Sequence, residues 1–100
     1  MRTASIIIPH YNDALGLNLC LESIVANLPI DGYDIEILVV DNASTVPLDD
    51  VKNKFLSSVS FLVEPEKGAA SARNRGVSCC KGDFFLFTDA DCIVKQGWVY

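Results

Sequence analysis

Four short apolar runs, each separated from the next by a longer amphipathic or polar stretch, constrain this chain more than any other feature. Ser5–Pro9 reads as a first strand. Behind it, Asn12 or Asp13 can cap a helix in which Leu17, Leu21, Ile24 and Leu28 recur at helical spacing, closed by Pro29 and Gly32. Ile35–Val40 is a near-continuous apolar run and suits a strand buried on both faces. Val51, Phe55 and Leu56 mark a short helix after Pro47, and Val59–Val63 reads as a third strand. Gly68 opens a third helix that runs to about Cys79, and Gly82 precedes a fourth strand, Phe84–Thr88. The order β-α-β-α-β-α-β implies a mostly parallel sheet with right-handed crossovers, a Rossmann-like three-layer α/β/α architecture. The expected strand order is 3-2-1-4. The first two helices then cover one face and the third helix the other.

Composition narrows the class of function. One hundred residues make at most one domain, and a chain that is 50% hydrophobic and 21% charged is globular rather than disordered. Its net charge of −5 lacks the basic footprint of a nucleic-acid reader or of a protein held on an anionic membrane. No apolar stretch approaches the ~20 residues of a membrane span. Pro9 interrupts the only apolar run near the start, so no secretory leader is expected. Cys20, Cys79, Cys80 and Cys92 form no C-x-x-C pair, and the single histidine, His10, lies near none of them in sequence. Reduced, mostly buried thiols in a cytoplasmic protein are the expectation, not a zinc site or a disulfide frame.

In doubly wound sheets ligands sit beyond the carboxyl ends of the strands, where the strand order reverses. The first strand is followed by His10, Tyr11, Asn12 and Asp13, the second by Asp41, Asn42, Ser44 and Thr45, and the fourth by Asp89 and Asp91. Glu64-Pro65-Glu66-Lys67 after the third looks more like a turn. Asp89-Ala90-Asp91 is the sharpest of these features. In an extended segment residues i and i+2 point the same way, so both carboxylates can face one hard cation such as Mg²⁺ or Mn²⁺. With 13 acidic residues in the chain a bare D-x-D is common by chance, and its place behind Phe84-Phe85-Leu86-Phe87 is what marks it. Tyr11 offers a face on which a nucleobase can stack, and Asp41 is either a turn residue or a ligand. Arg73 and Arg75 point to different faces of their helix, one solvated and the other available to a base or diphosphate. His10 reads as a loop residue.

Taken together these segments resemble the family 2 glycosyltransferases. The resemblance rests on Ser5-Ile6-Ile7-Ile8-Pro9-His10-Tyr11-Asn12, on Ile37–Thr45, on Lys67–Gly76 and on Phe85–Asp91 followed by Gly97-Trp98. It implies a GT-A fold and a nucleotide-diphosphate-sugar donor, UDP or dTDP linked, used by a transferase of the hexosyl type. By the same resemblance Pro9, Tyr11 and Asp41 line the nucleobase pocket, and Arg73 and Asn74 close it from the helix. Asp89 meets the ribose, and Asp91, with Asp89, the Mn²⁺ or Mg²⁺ that bridges the diphosphate. Asn42 stands where a second Asp is commoner, Ala43 where Gly is, and Val46 where a trailing Asp is. An inverting transfer also needs a carboxylate that deprotonates the acceptor hydroxyl. The resemblance puts that base beyond Tyr100. The expectation is therefore a truncated N-terminal, donor-binding part over residues 1–100. It binds nucleotide without turnover, and it self-associates through an apolar fourth strand. The competing reading is a non-catalytic doubly wound nucleotide-binding or receiver-type regulatory module. It would need an acidic pair after the first strand, where the chain has Tyr11-Asn12-Asp13.

Overall fold

The computed structural model describes residues 2–29, 31–45 and 47–88. Its elements run β1 (Arg2–His10), α1 (Ala14–Ala26), β2 (Tyr33–Asp41), α2 (Asp49–Lys54), β3 (Ser60–Val63), α3 (Ala69–Cys79) and β4 (Phe84–Phe87). The strands form one sheet in the order β3-β2-β1-β4, and every neighbouring pair is parallel. The 3-2-1-4 expectation therefore holds. The chain steps outward through β2 and β3, then reverses past β1 to β4, which puts the switch point between β1 and β4.

The central position of β1 explains its composition. Ala4 through Ile8 are all fully buried, because both faces of the strand are covered. Ile6 and Ile8, with Ile37 and Val39 of β2, point into the larger core formed with Leu17, Leu21 and Ile24 of α1 and Val51 and Phe55 around α2. Ile7 and Val40 alternate to the opposite face, where Ala72 of α3 closes a smaller cluster. Two helices on one face and one on the other is the expected layering. Asp13 caps α1, its Oδ1 accepting the Gly16 amide at 3.0 Å. An ion pair from Lys54 to Glu22 ties α2 to α1, and the Lys54 hydrogen bond holds the Glu22 carboxyl below its ordinary range.

The one fully buried polar side chain in the middle of β1 is satisfied. Ser5 Oγ donates to Glu36 Oε1 at 2.7 Å and accepts the Gly82 amide at 2.9 Å. Glu36 Oε1 also accepts the Lys81 amide at 2.8 Å. These bonds hold the α3–β4 connection against the sheet and bring β4 into register with β1. The thiol expectation needs correction. Cys20 is buried, but Cys79 at the end of α3 is exposed and Cys80 partly so, because only Ala72 and Gly76 of that helix face the sheet closely. Among the described residues no helix is long and apolar enough to cross a membrane.

Candidate functional site

The parallel register gathers the strand ends along one edge. His10, the last residue of β1, is the partner of Asp41, the last of β2, and Asp41 in turn is the partner of Val63, the last of β3. Thr88, just after β4, donates its amide to Ile7 O at 3.2 Å and so joins the same edge.

His10 is a strand residue and not the loop residue expected, because the β1–β2 ladder continues to its Cα. It is buried to 2% exposure. Its Nδ1 lies 3.0 Å from Asp41 Oδ1, and the Asp13 amide donates to its Nε2 at 2.8 Å. The Ser44 hydroxyl donates to the same Asp41 oxygen. Asn12, with φ of 47°, donates its amide to Ser44 Oγ at 2.9 Å. Its side chain exchanges two bonds with Thr45, Nδ2 to Oγ1 at 3.2 Å and the Thr45 amide to Oδ1 at 2.8 Å. The loops after β1 and β2 are thus laced together around the Asp41 carboxylate. That side chain remains 16% exposed.

Asn42 does the same for the third loop. Its Nδ2 donates to the carbonyls of Glu64 at 3.1 Å and Glu66 at 2.6 Å, and its Oδ1 accepts the Gly68 amide at 2.8 Å. Gly68 sits at φ 123°, a conformation L side chains rarely adopt, and turns the loop into α3. Tyr11, Asn42, Lys67 and Gly68 line a pocket of about 340 Å³ at this edge. The Tyr11 ring, 51% exposed, gives it an aromatic wall and Lys67 a cation.

Three of the seven sequence-derived site residues, Pro9, Tyr11 and Asp41, stand at this edge. Pro9 is partly buried one position before His10, Tyr11 lines the pocket, and Asp41 directly precedes the lining residue Asn42. Arg73 lies on the β4 side instead, its guanidinium carbon 5.9 Å from the Phe87 ring centroid. Asn74 is exposed on α3. Arg75 is the solvated member of its pair, with Nε 3.5 Å from Glu64 Oε1. Asp89 and Asp91 lie outside the described residues, and among those described no group of three or more His, Cys, Asp or Glu side chains can hold a metal ion. Sequence reasoning named His10 and Asn42 only as residues that follow strands and read Lys67 as part of a turn, without giving any of the three a role. Counting strands in parallel register would have paired His10 with Asp41. Asn42 carried only the signal of being an amide at a position where an acid is commoner.

An all-parallel sheet in the order β3-β2-β1-β4, with a pocket beyond its strand ends, places the chain in the doubly wound α/β class, and the similar solved structures are GT-A glycosyltransferases. Staphylococcus aureus TarS (residues 1–349, in complex with UDP) superposes with a TM-score of 0.77 at 25% identity, covering 91% of this chain and 28% of that one. A mannosyltransferase from Pyrobaculum calidifontis, in complex with GDP-Man and Mn²⁺, superposes with a TM-score of 0.75 at 28% identity, covering 88% and 27%. The chain belongs to glycosyl transferase family 2, whose pattern it matches over residues 5–100. Among curated relatives, the glycosyltransferase AglE of Haloferax volcanii is 34% identical over 100 residues, spanning 95% of this chain and 32% of its own length. The chain therefore spans about a third of that relative. Family membership sets aside the receiver-type regulatory reading.

Proposed function

We propose that this chain binds the nucleotide of a nucleoside-diphosphate sugar, with UDP or dTDP as the nucleotide, for transfer of the sugar to an acceptor hydroxyl. One observation carries the reading: an exposed aromatic ring and a partly exposed carboxylate, Tyr11 and Asp41, stand at the switch-point edge of a family 2 fold. Tyr11 stacks on the base, Asp41 accepts a base N–H, and Pro9 packs beside them. Arg73 and Asn74 close the site from α3, where the Arg73 charge is directed along the sheet toward β4. The relatives with bound UDP and with GDP-Man and Mn²⁺ support this assignment.

The donor set for a metal also fits. Asp89 follows Thr88 directly in sequence and Asp91 stands two positions further on, and carboxylate oxygens suit Mn²⁺ or Mg²⁺. Asp91 would hold the ion with Asp89, which also meets the ribose. Bound there, it would offset charge developing on the leaving nucleoside diphosphate. We place the acceptor groups and the general base outside residues 1–100, so these residues alone should show no detectable transfer. Phe85 and Phe87, each 44% exposed with ring centroids 5.5 Å apart, form an apolar strip on β4 that we assign to contact with a second copy. A clean monomer in light scattering at high concentration would overturn that contact.

Calorimetry tests the donor reading. UDP should bind more tightly with Mn²⁺ than without it, and Asp91→Ala should abolish the difference. Equal UDP affinity with and without metal in the wild type would sink the D-x-D assignment.

A further inference from the structure

We propose that His10 is a positioning residue that orients the Asp41 carboxylate, leaving one of its oxygens as an open acceptor, and thereby makes the site select a base that presents an N–H. The inference rests on Asp41 facing the base, as proposed above. Its basis is the pair of partners on the imidazole. The Asp13 amide is a donor and nothing else, so Nε2, 2.8 Å away, must accept. In the neutral ring the proton then lies on Nδ1, which donates to Asp41 Oδ1 at 3.0 Å. A backbone amide at the entry to α1 therefore sets the tautomer.

The tautomer sets the orientation of the Asp41 carboxylate. With Nδ1–H and the Ser44 hydroxyl both donating to Oδ1, that oxygen is occupied and the carboxylate is held in one orientation. Among the described residues no group bonds Oδ2. A ligand reaching Oδ2 meets a bare acceptor. The N3–H of a uracil or thymine ring donates to it, whereas N3 of cytosine is itself an acceptor and opposes it. The opposite tautomer would turn a lone pair toward Asp41 and withdraw that donor, leaving the carboxylate free to turn.

Two measurements test this. The chain has a single histidine, so long-range ¹H–¹⁵N correlation spectra of the unliganded protein report His10 alone. Nδ1 protonated and Nε2 bare is the expected result, and an Nε2–H tautomer would overturn the proposal. The second is the ratio of UDP to CDP affinity by calorimetry. Wild type should favour UDP by about tenfold or more, the scale of one hydrogen bond to a charged group. His10→Asn keeps an N–H donor near the Nδ1 position and should preserve the ratio, while His10→Leu removes the donor and should bring it toward unity. A loss of affinity equal for both nucleotides, or an unchanged ratio in folded His10→Leu, would show a merely structural role. Failure of the wild type to bind any nucleoside diphosphate would instead overturn the pocket reading and, with it, the selection. The tautomer spectrum decides the His10–Asp41 bond independently of that result.

Discussion

Ala43 holds φ at 60°, in the left-handed region where a Cβ crowds the next carbonyl at a cost of about 1–2 kcal/mol. Gly at this position would remove the crowding and return about 0.4–1 kcal/mol to the unfolded chain as entropy. Ala43→Gly should therefore stabilise the protein by about 0.5–1 kcal/mol, read as a higher urea midpoint at unchanged slope. A lower midpoint would mean that the 60° conformation carries no strain. Its neighbour gives the opposite expectation. Asn42→Asp keeps the acceptor for the Gly68 amide but turns a carboxylate toward the Glu64 and Glu66 carbonyls, which the amide now satisfies. Leaving buried polar groups unpaired costs about 1–3 kcal/mol, and the Gly68 amide should exchange faster in the variant. Unchanged stability and exchange would show that the loop is held by other contacts. Neither effect was legible in the sequence beyond the bare departure from Asp and Gly. The bonds of Asn42 reach 22 to 26 positions along the chain, into a segment that reads as an ordinary turn.

At the level of elements, the close approach of α3 to β1 depends on Gly76. A Cβ built there would lie 2.4 Å from Ile7 Cγ2, a branch fixed in the buried face of the central strand. Ala ordinarily favours a helix interior over Gly by about 1 kcal/mol. Overpacking against a strand that cannot retreat costs about 1–3 kcal/mol, so the net effect of Gly76→Ala should be destabilising. A raised melting temperature would show that α3 can shift outward without loss. The same packing explains which elements the sequence announces. β1 and β2 are covered on both faces and read as continuous apolar runs. The ends of those strands do not, because Arg2 pairs with Tyr33 and His10 with Asp41 through backbone ladders that carry polar side chains. β1 is therefore longer than Ser5–Pro9 at both ends, and the extension is what brings His10 to the site. Among the described side chains of the third helix the buried apolar one is Ala72, and the helix was legible from Gly68 and the family pattern, not from amphipathic spacing.

For the whole molecule, the two faces of the sheet are unequal, and the site straddles the difference. α1 and α2 bury a broad cluster over Ile6, Ile8, Ile37 and Val39, whereas α3 covers Ile7 and Val40 with Ala72 and the partly buried Leu62 and Cys80. Free energies of local opening follow such buried apolar contact, so α3 should open well below the global limit and α1 close to it. Amide exchange in the unliganded protein is expected to be faster along Ala69–Cys79 than along Ala14–Ala26. The Asn42 bonds to Glu64, Glu66 and Gly68 anchor only the entry to α3. If Arg73 and Asn74 close over the donor as proposed, UDP with Mn²⁺ binds only the closed form. It should then slow exchange in α3 by a factor approaching 1 + [UDP]/Kd while leaving α1 nearly unchanged. Ligand binding would thus supply, on the thinner face, the cohesion that apolar burial supplies on the other. Equal protection of both helices would place the opening in the whole domain, and protection confined to α1 would move the donor away from α3 altogether.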